Sequence, residues 1–347
     1  MTENIELLDA ILDDQSKTPS IYSAGGFWVK KSKSIVNGIQ SKGLLNFRSD
    51  ASILNSYGGC YSINPTDNSD KLKLMYKLFG SRFSEKIFKS HNRLINKYYQ
   101  MMREYRGYYI ENRYSAQIQL LKKRFDFPNT MLNNVREYVT MGNEKISLDY
   151  LFQIIRIANF ADNLDFSKIS SVLEIGGGYG SAAHLFMSFY KNIKKYIYID
   201  IPPMIYIATE YLEQFDEFSV VNYLETKNKN EIKFEDNDKR EIIMLCPWQL
   251  PNIKSQVDLF YNAISFQEIE ITALKNYINL IENSILKNNG DICLTYYQGG
   301  DYKMTRKKEE IISLFSNYCF KEITPAIEEK ELPNSLPHIY LHGKMSV

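Results

Sequence analysis

The sequence predicts an α/β protein, a doubly wound, mostly parallel sheet preceded by a mainly helical amino-terminal region. Three observations carry this. From Val172 onward, short apolar runs alternate with helical stretches, the pattern of parallel strands joined by crossover helices. The first run, Val172-Leu173-Glu174-Ile175, feeds directly into Gly176, Gly177, Gly178 and Gly180, so a strand leads into a tight turn before a helix opens. Upstream, Leu, Ile, Phe and Tyr interleave with long charged residues and few breakers, which reads as amphipathic helices. The expected division is residues 1–145 as a helical substrate or lid region and 146–347 as the sheet domain.

Composition bounds the function. The chain has 347 residues, 44% of them apolar and 24% charged, enough for one large core or two smaller ones. Lys plus Arg number 42 against 41 for Asp plus Glu, so no net charge draws the molecule to nucleic acid or to an anionic membrane. No run approaches the ~20 apolar residues of a membrane span. Met1 to Gln15 lacks the basic start and apolar stretch of a signal peptide, so a cytoplasmic location is expected. Cys60, Cys246, Cys293 and Cys319 are far apart without a C-x-x-C and read as buried thiols. The composition admits a homo-oligomer.

Taken in order, Asn4 to Leu12 has helical apolar spacing and is followed by a polar breaker at Asp13 to Ser20. Trp28 to Gln40 is expected as a helix with Trp28, Ile35 and Ile39 on one side, closed by Gly43. A long loop, Asn55 to Asp70, carries Tyr57-Gly58-Gly59-Cys60-Tyr61 and suits a substrate flap or a merely flexible link. Lys71 to Leu121 reads as two or three amphipathic helices. Within it, Tyr105 to Tyr114 is dense in Tyr and Arg; Tyr108 and Arg113 offer ring faces and charge to a sugar, or pack helices together. A further helix is expected after Phe127-Pro128-Asn129. Ser147 is expected to cap a helix running to Phe160, with Leu151, Ile154, Ile155 and Ala158 buried.

In the sheet domain, Ala182 to Tyr190 is the first crossover helix and Tyr196 to Asp200 the second strand. Pro202 suits the first turn of a helix reaching Phe215. Lys227 to Glu241 is a solvated insertion of mixed charge. Ile242 to Cys246 is the third strand, stopped by Pro247-Trp248, where Trp248 either walls a ligand ring or plugs the core. Val257 to Ile264 is the fourth strand, with Asp258 and Asn262 expected toward the ligand side. A helix from Ile271 to Leu286 ends at Asn288-Asn289-Gly290, and Asp291 to Tyr297 is the fifth strand. Thr305 to Phe315 is helical, and a last strand sets His338, Tyr340 and His342 on one face.

A glycine turn at a helix N-terminus is a cradle for nucleotide-type ligands, because backbone amides and the positive helix end face them. The dinucleotide fingerprint G-x-G-x-x-G fails here, since its third glycine falls on Ser181. What fits is Glu174-x-Gly176-x-Gly178-x-Gly180, with Gly177 and Tyr179 between. This resembles the first motif of the class I S-adenosylmethionine-dependent methyltransferases, whose turn passes under the cofactor's methionine and ribose. Asp200, about twenty residues on and at a strand end, suits the carboxylate that holds a ribose hydroxyl pair. The plainer reading is that these residues only shape a turn and cap a helix.

A narrower resemblance rests on Leu173 to Gly180, the Asp200-Ile201-Pro202 corner, and Asp258 to Asn262 running into Ser265-Phe266-Gln267-Glu268. Together they are similar to the sugar O-methyltransferases of bacterial surface-polysaccharide clusters, over roughly residues 145–300, with a weaker likeness in the Trp28 and Phe47-Arg48 region. The resemblance implies S-adenosylmethionine as cofactor, held by Glu174, Gly176 to Gly180, Asp200, Ile201, Cys246, Pro247 and Asn262. It also implies a sugar or glycan hydroxyl as acceptor, met by Ser265 and Gln267. No Asp, Glu and His cluster stands at ligand spacing, so no metal is expected. An oxygen attacking the sulfonium methyl must lose its proton; Glu268 has the position for a base and His338 or His342 the better ordinary pKa. A methyltransferase of aromatic small molecules and a non-catalytic cofactor-binding scaffold remain the rival readings.

Overall fold

The computed structural model describes residues 4–50, 53, 92–297, 306–329 and 338–346, without the side chains of residues 27 and 92–106. The tyrosine-rich loop with Cys60, the helices expected before residue 92, His91 and the Gln298-Gly299-Gly300 loop lie outside the described residues.

The amino-terminal region is helical as expected. Helix α1 spans Ile5–Ser16, its first turn capped by the Asn4 side chain accepting from Leu7 N. Helix α2 spans Gly26–Lys42 and ends on Gly43, which takes the positive φ that closes a helix cheaply only in glycine. Helix α3 spans Asn92–Arg124 as one continuous piece. Where a further helix was expected, strands β1 (Tyr138–Met141) and β2 (Glu144–Ser147) form an antiparallel hairpin. Gly142 turns it with φ +63°, and Val139 and Ile146, paired across the ladder, are its buried pair.

Helix α4, Leu148–Ala161, follows at once. The Ser147 hydroxyl does not cap it: that oxygen accepts from Arg48 Nη2 at 2.8 Å, a stronger, charged donor. Strand β3 (Ser171–Ile175) then opens the sheet, followed by α5 (Ser181–Phe189), β4 (Lys195–Ile199) and α6 (Pro202–Leu212). Next come β5 (Ser219–Val221), α7 (Tyr223–Thr226), β6 (Glu241–Leu245) and β7 (Val257–Ala263). Helix α8 (Ile271–Leu280), β8 (Leu286–Tyr297), α9 (Lys308–Ile312), β9 (Tyr318–Ile323) and β10 (His338–Met345) complete the order.

The sheet runs β5-β6-β4-β3-β7-β8-β10-β9. Neighbours are parallel from β5 to β8, and β10 lies antiparallel between β8 and β9. This is a doubly wound, mostly parallel α/β sheet with β10 as its antiparallel insertion. Alternation along the strands divides two cores. Val172, Tyr196, Tyr198, Leu259 and Tyr261 face one side with residues of α4, α5 and α6, whereas Leu173, Ile197, Ile243 and Phe260 face the other with α8. Three expectations change. The helix expected to reach Leu286 stops at Leu280, passes through a π turn at Ile281–Ile285, and β8 already runs through Asn288-Asn289-Gly290. The Thr305 to Phe315 helix is the short α9, and Cys319 is exposed on β9 while Cys246 and Cys293 are buried. Among the described residues no helix is long and apolar enough to cross a membrane.

Candidate cofactor and acceptor site

Parallel strands align their carboxyl ends on one edge, and in open α/β sheets ligands bind there. On that edge stand the glycine turn after β3, Asp200 and Ile201 after β4, Cys246 and Pro247 after β6, and Ser265 to Glu268 after β7. His338 opens β10 opposite Tyr297, the last residue of β8, so it shares the same edge.

The turn is held by hydrogen bonds that spend the flanking side chains. Asp200 Oδ2 accepts from Gly178 N at 2.8 Å and Oδ1 from Ile201 N at 2.7 Å, while Tyr198 OH donates to Gly178 O at 2.6 Å. Gly176 (φ +75°), Gly178 (φ +71°) and Gly180 (φ +93°) all take left-handed backbone. A side chain at Gly176 would also run into Ser265, and one at Gly177 would come within 2.5 Å of Glu174 and Tyr198. Glu174 is 1% exposed. Its Oε2 accepts from Tyr196 OH at 2.8 Å and its Oε1 has no partner. Burial pushes its carboxyl up to about 8, against the Tyr196 hydroxyl. Burial likewise lifts Asp200 to about 7, with the two amide donors opposing. A buried carboxyl with one oxygen unpartnered, beneath a left-handed glycine turn, suits a polar ligand.

Asn262 and Ser265 brace the turn. Asn262 Nδ2 donates to Ile175 O at 2.7 Å and to Ser265 Oγ at 2.6 Å, and Phe266 N donates to Asn262 Oδ1 at 3.1 Å. Ile264 before them carries φ +73°, unusual for a β-branched residue. Gln267 is 1% exposed and its Oε1 accepts from Tyr297 N at 3.1 Å, tying the β7 and β8 ends. Cys246 N donates to Gln249 Oε1 at 2.9 Å, and Pro247 starts a 3-10 turn through Asn252. Trp248 packs edge-on to Tyr223 and its indole donates to Tyr223 OH at 3.2 Å. Asp258 lies at the opposite end from the turn, contrary to expectation: it opens β7, where it accepts from Ser170 and Ser171 and pairs with Lys287 at 2.6 Å.

Glu268 lies in a 3-10 turn after β7, and its Oε2 accepts from the Trp28 indole at 3.1 Å, so α2 reaches over this edge. Burial raises its carboxyl pKa, and its charge is among those lifting Asp200. His338 has Nδ1 3.1 Å from Glu329 Oε2, and Glu329 also binds Arg156 through two oxygens and Tyr340 OH at 3.2 Å. Burial alone would raise Glu329; Arg156 and His338 overcome it and hold it down at about 2. His342 belongs elsewhere, paired with Asp291 at 2.6 Å. Tyr108 is 68% exposed on α3, and Arg113 pairs with Glu328 at 3.3 Å, so neither joins the turn's network.

Arg48 and Asp149 bear on the turn, although the sequence marks Arg48 only by a weak family likeness and Asp149 only as part of a helix start. Tyr179, inside the turn, donates its hydroxyl to Asp149, which also receives Arg48 Nη2 at 2.8 and 3.0 Å. Only the dense Tyr150, Tyr179, Tyr211 and His184 set hints at a polar box. Burial drives His184 down to about 3, so it sits neutral against Tyr150 OH at 2.6 Å.

An O-methyltransferase domain family matches residues 149–231, from α4 through the turn to just beyond α7. Over that stretch the chain is similar to O-methyltransferases. Solved structures with a similar fold include the mitomycin 7-O-methyltransferase MmcR, 12% identical with TM-score 0.38 over 56% of this chain and 57% of that one. Human N-acetylserotonin methyltransferase in complex with SAM is 14% identical with TM-score 0.39, over 57% of this chain and 54% of that one. A SAM-dependent methyltransferase from Aquifex aeolicus is 13% identical with TM-score 0.35, over 51% of this chain and 82% of that one. The match thus spans little more than half the length of the mitomycin and human proteins. No curated protein matches the chain. Among the described residues no group of three His, Cys, Asp or Glu is arranged to hold a metal ion.

Proposed function

We propose that the chain transfers the methyl group of S-adenosylmethionine to a hydroxyl of a sugar, in a surface polysaccharide or in its nucleotide-sugar or glycan precursor, with Glu268 as general base. The observation that carries the reading is Glu268 itself, a half-buried carboxylate after β7. Burial raises its pKa, and it is near enough to Asp200 to disturb that residue's ionisation. In the reaction the acceptor oxygen forms a bond to the methyl carbon as the carbon–sulfur bond breaks. The hydroxyl proton passes to Glu268 and the sulfonium leaves as a neutral thioether. The cofactor, when bound, would supply the electrophilic methyl; Asp200 and the amides of the glycine turn would hold it at this edge. The sugar acceptor rests on the likeness of the Ser265-Phe266-Gln267-Glu268 corner to the sugar O-methyltransferases. On this reading residues 1–145 wall the acceptor, with Tyr108 and Arg113 offering a ring and a guanidinium.

His338 is the second candidate base, favoured by the Glu329 carboxylate on its Nδ1, the arrangement that orients an imidazole for proton transfer. Methyl transfer to a panel of nucleotide sugars and glycans separates the two. Glu268→Gln should lower turnover at least about a hundredfold, the lower end for loss of a general base, with cofactor affinity nearly unchanged. If His338→Asn abolishes turnover and Glu268→Gln does not, the base is the histidine. Transfer only to aromatic acceptors would refute the sugar assignment.

A further inference from the structure

The glycine turn has one side chain of any size, Tyr179, and the amino-terminal region holds it. We propose that Arg48, Asp149 and Tyr179 form a latch through which that region positions the turn, so that cofactor affinity depends on a residue far upstream of the cradle. All three are positioning residues. The proposal rests on the reading that this turn binds S-adenosylmethionine.

Arg48 is 2% exposed and enters from a 3-10 turn at Phe47–Ser49. Its guanidinium donates to Thr130 O at 2.6 Å and to Leu132 O at 3.1 Å, which fixes it to the segment before the β1–β2 hairpin. The other nitrogen meets Ser147 Oγ and both Asp149 oxygens. The cation also sits 5.1 Å from the centre of the Tyr179 ring and 5.4 Å from that of Tyr150. Burial lowers the Arg48 pKa, but Asp149 together with Tyr179, Tyr211 and Tyr150 outweighs it and the group stays charged. Arg48 and Asp149 pair at 2.8 Å, and the same carboxylate accepts the Tyr179 hydroxyl, so the three side chains form one chain of charge-assisted bonds.

The turn has need of such an anchor. Gly176, Gly178 and Gly180 hold left-handed angles that glycine visits freely but does not favour uniquely. Its backbone is fixed from the sheet side by Asp200 and Tyr198 at Gly178. Tyr179 points the other way, to Asp149 at the start of α4. Without its hydroxyl bond the turn is pinned on one side only.

The test compares two tyrosines of the same box. Tyr179→Phe keeps the ring and its packing and removes the bond to Asp149. Tyr211→Phe removes a hydroxyl bonded to Tyr150 OH at 2.6 Å and keeps the ring that packs edge-on against Tyr179. By calorimetry with S-adenosylhomocysteine, Tyr179→Phe should raise Kd about tenfold, the effect of one charge-assisted hydrogen bond, and Tyr211→Phe less than about twofold. Amide hydrogen exchange of residues 176–181 in the unliganded proteins gives a readout that needs no cofactor. Exchange there should speed up in Tyr179→Phe and in Arg48→Lys, which keeps the charge but loses the planar fork, and stay as in wild type for Tyr211→Phe. Unchanged exchange in Tyr179→Phe, or an equal rise in all three variants, overturns the latch. Failure of the wild type to bind S-adenosylhomocysteine refutes the cofactor reading, and the exchange comparison still decides whether Tyr179 positions the turn.

Discussion

Glu174 and Asp200 are two carboxyls that burial keeps protonated where ordinary acids are ionised, and they interact across the base of the cradle. In the unfolded chain they titrate near 4.5 and 3.8; in the folded chain near 8 and 7. Between those values the folded state binds more protons, so the stability of the unliganded protein should fall as pH rises from about 4.5 to about 8. A Tm series over that range checks it, and Glu174→Gln should flatten the curve; a Tm that climbs through the window would refute the assignment. The cationic cofactor reverses the preference, because it favours the ionised forms, so its affinity should rise over the same interval. Asp200→Ala should weaken S-adenosylhomocysteine by roughly 1.5–3 kcal/mol, the range for a charged acceptor. An unchanged dissociation constant would mean that this carboxylate serves only Gly178 and Ile201.

The corner between β3 and β7 shows how elements are fitted to one another. Gly176 is both left-handed and pressed against Ser265, so Gly176→Ala should cost at least about 2 kcal/mol in urea unfolding, from backbone strain plus overpacking. A loss below about 0.5 kcal/mol would show that the corner yields freely. Strands β3, β4, β6 and β7 were legible in the sequence to within a residue or two, because each is buried on both faces and reads as an apolar run bounded by turn chemistry. The hairpin was not. Its strands are four residues long with one buried pair, too short for a periodic signal. The start of β8 was misread because Asn288-Asn289-Gly290 carries turn residues, yet here the strand shifts register against β7 between Val257 and Leu259. At the site, the glycine motif and Asp200 stood out locally, while Arg48 and Glu329 act only through contacts that sequence spacing cannot reveal.

Across the whole molecule, the Arg156–Glu329 pair joins α4 to the segment before β10, and Asn159 adds two bonds to Ile327 on the same segment. Both charges are buried, so Arg156→Met alone should cost about 3–5 kcal/mol by removing the guanidinium from Glu329, which keeps only His338 and Tyr340 beside it. The double change Arg156→Met with Glu329→Leu should recover most of that loss in denaturant unfolding; a sum of two independent losses would mean that the pair is not the source of the effect. Arg48 extends the same logic to how the chain can be divided. Its charge, buried under the turn, belongs to the first fifty residues, whereas the carboxylate it neutralises belongs to the sheet domain. A fragment starting at α4 would therefore expose an acid built for a dry site, and a foreign amino-terminal region grafted onto this sheet would have to bring a guanidinium of its own to the same spot. The first fifty residues and the sheet are thus tied through one shared buried charge, Arg48 against Asp149.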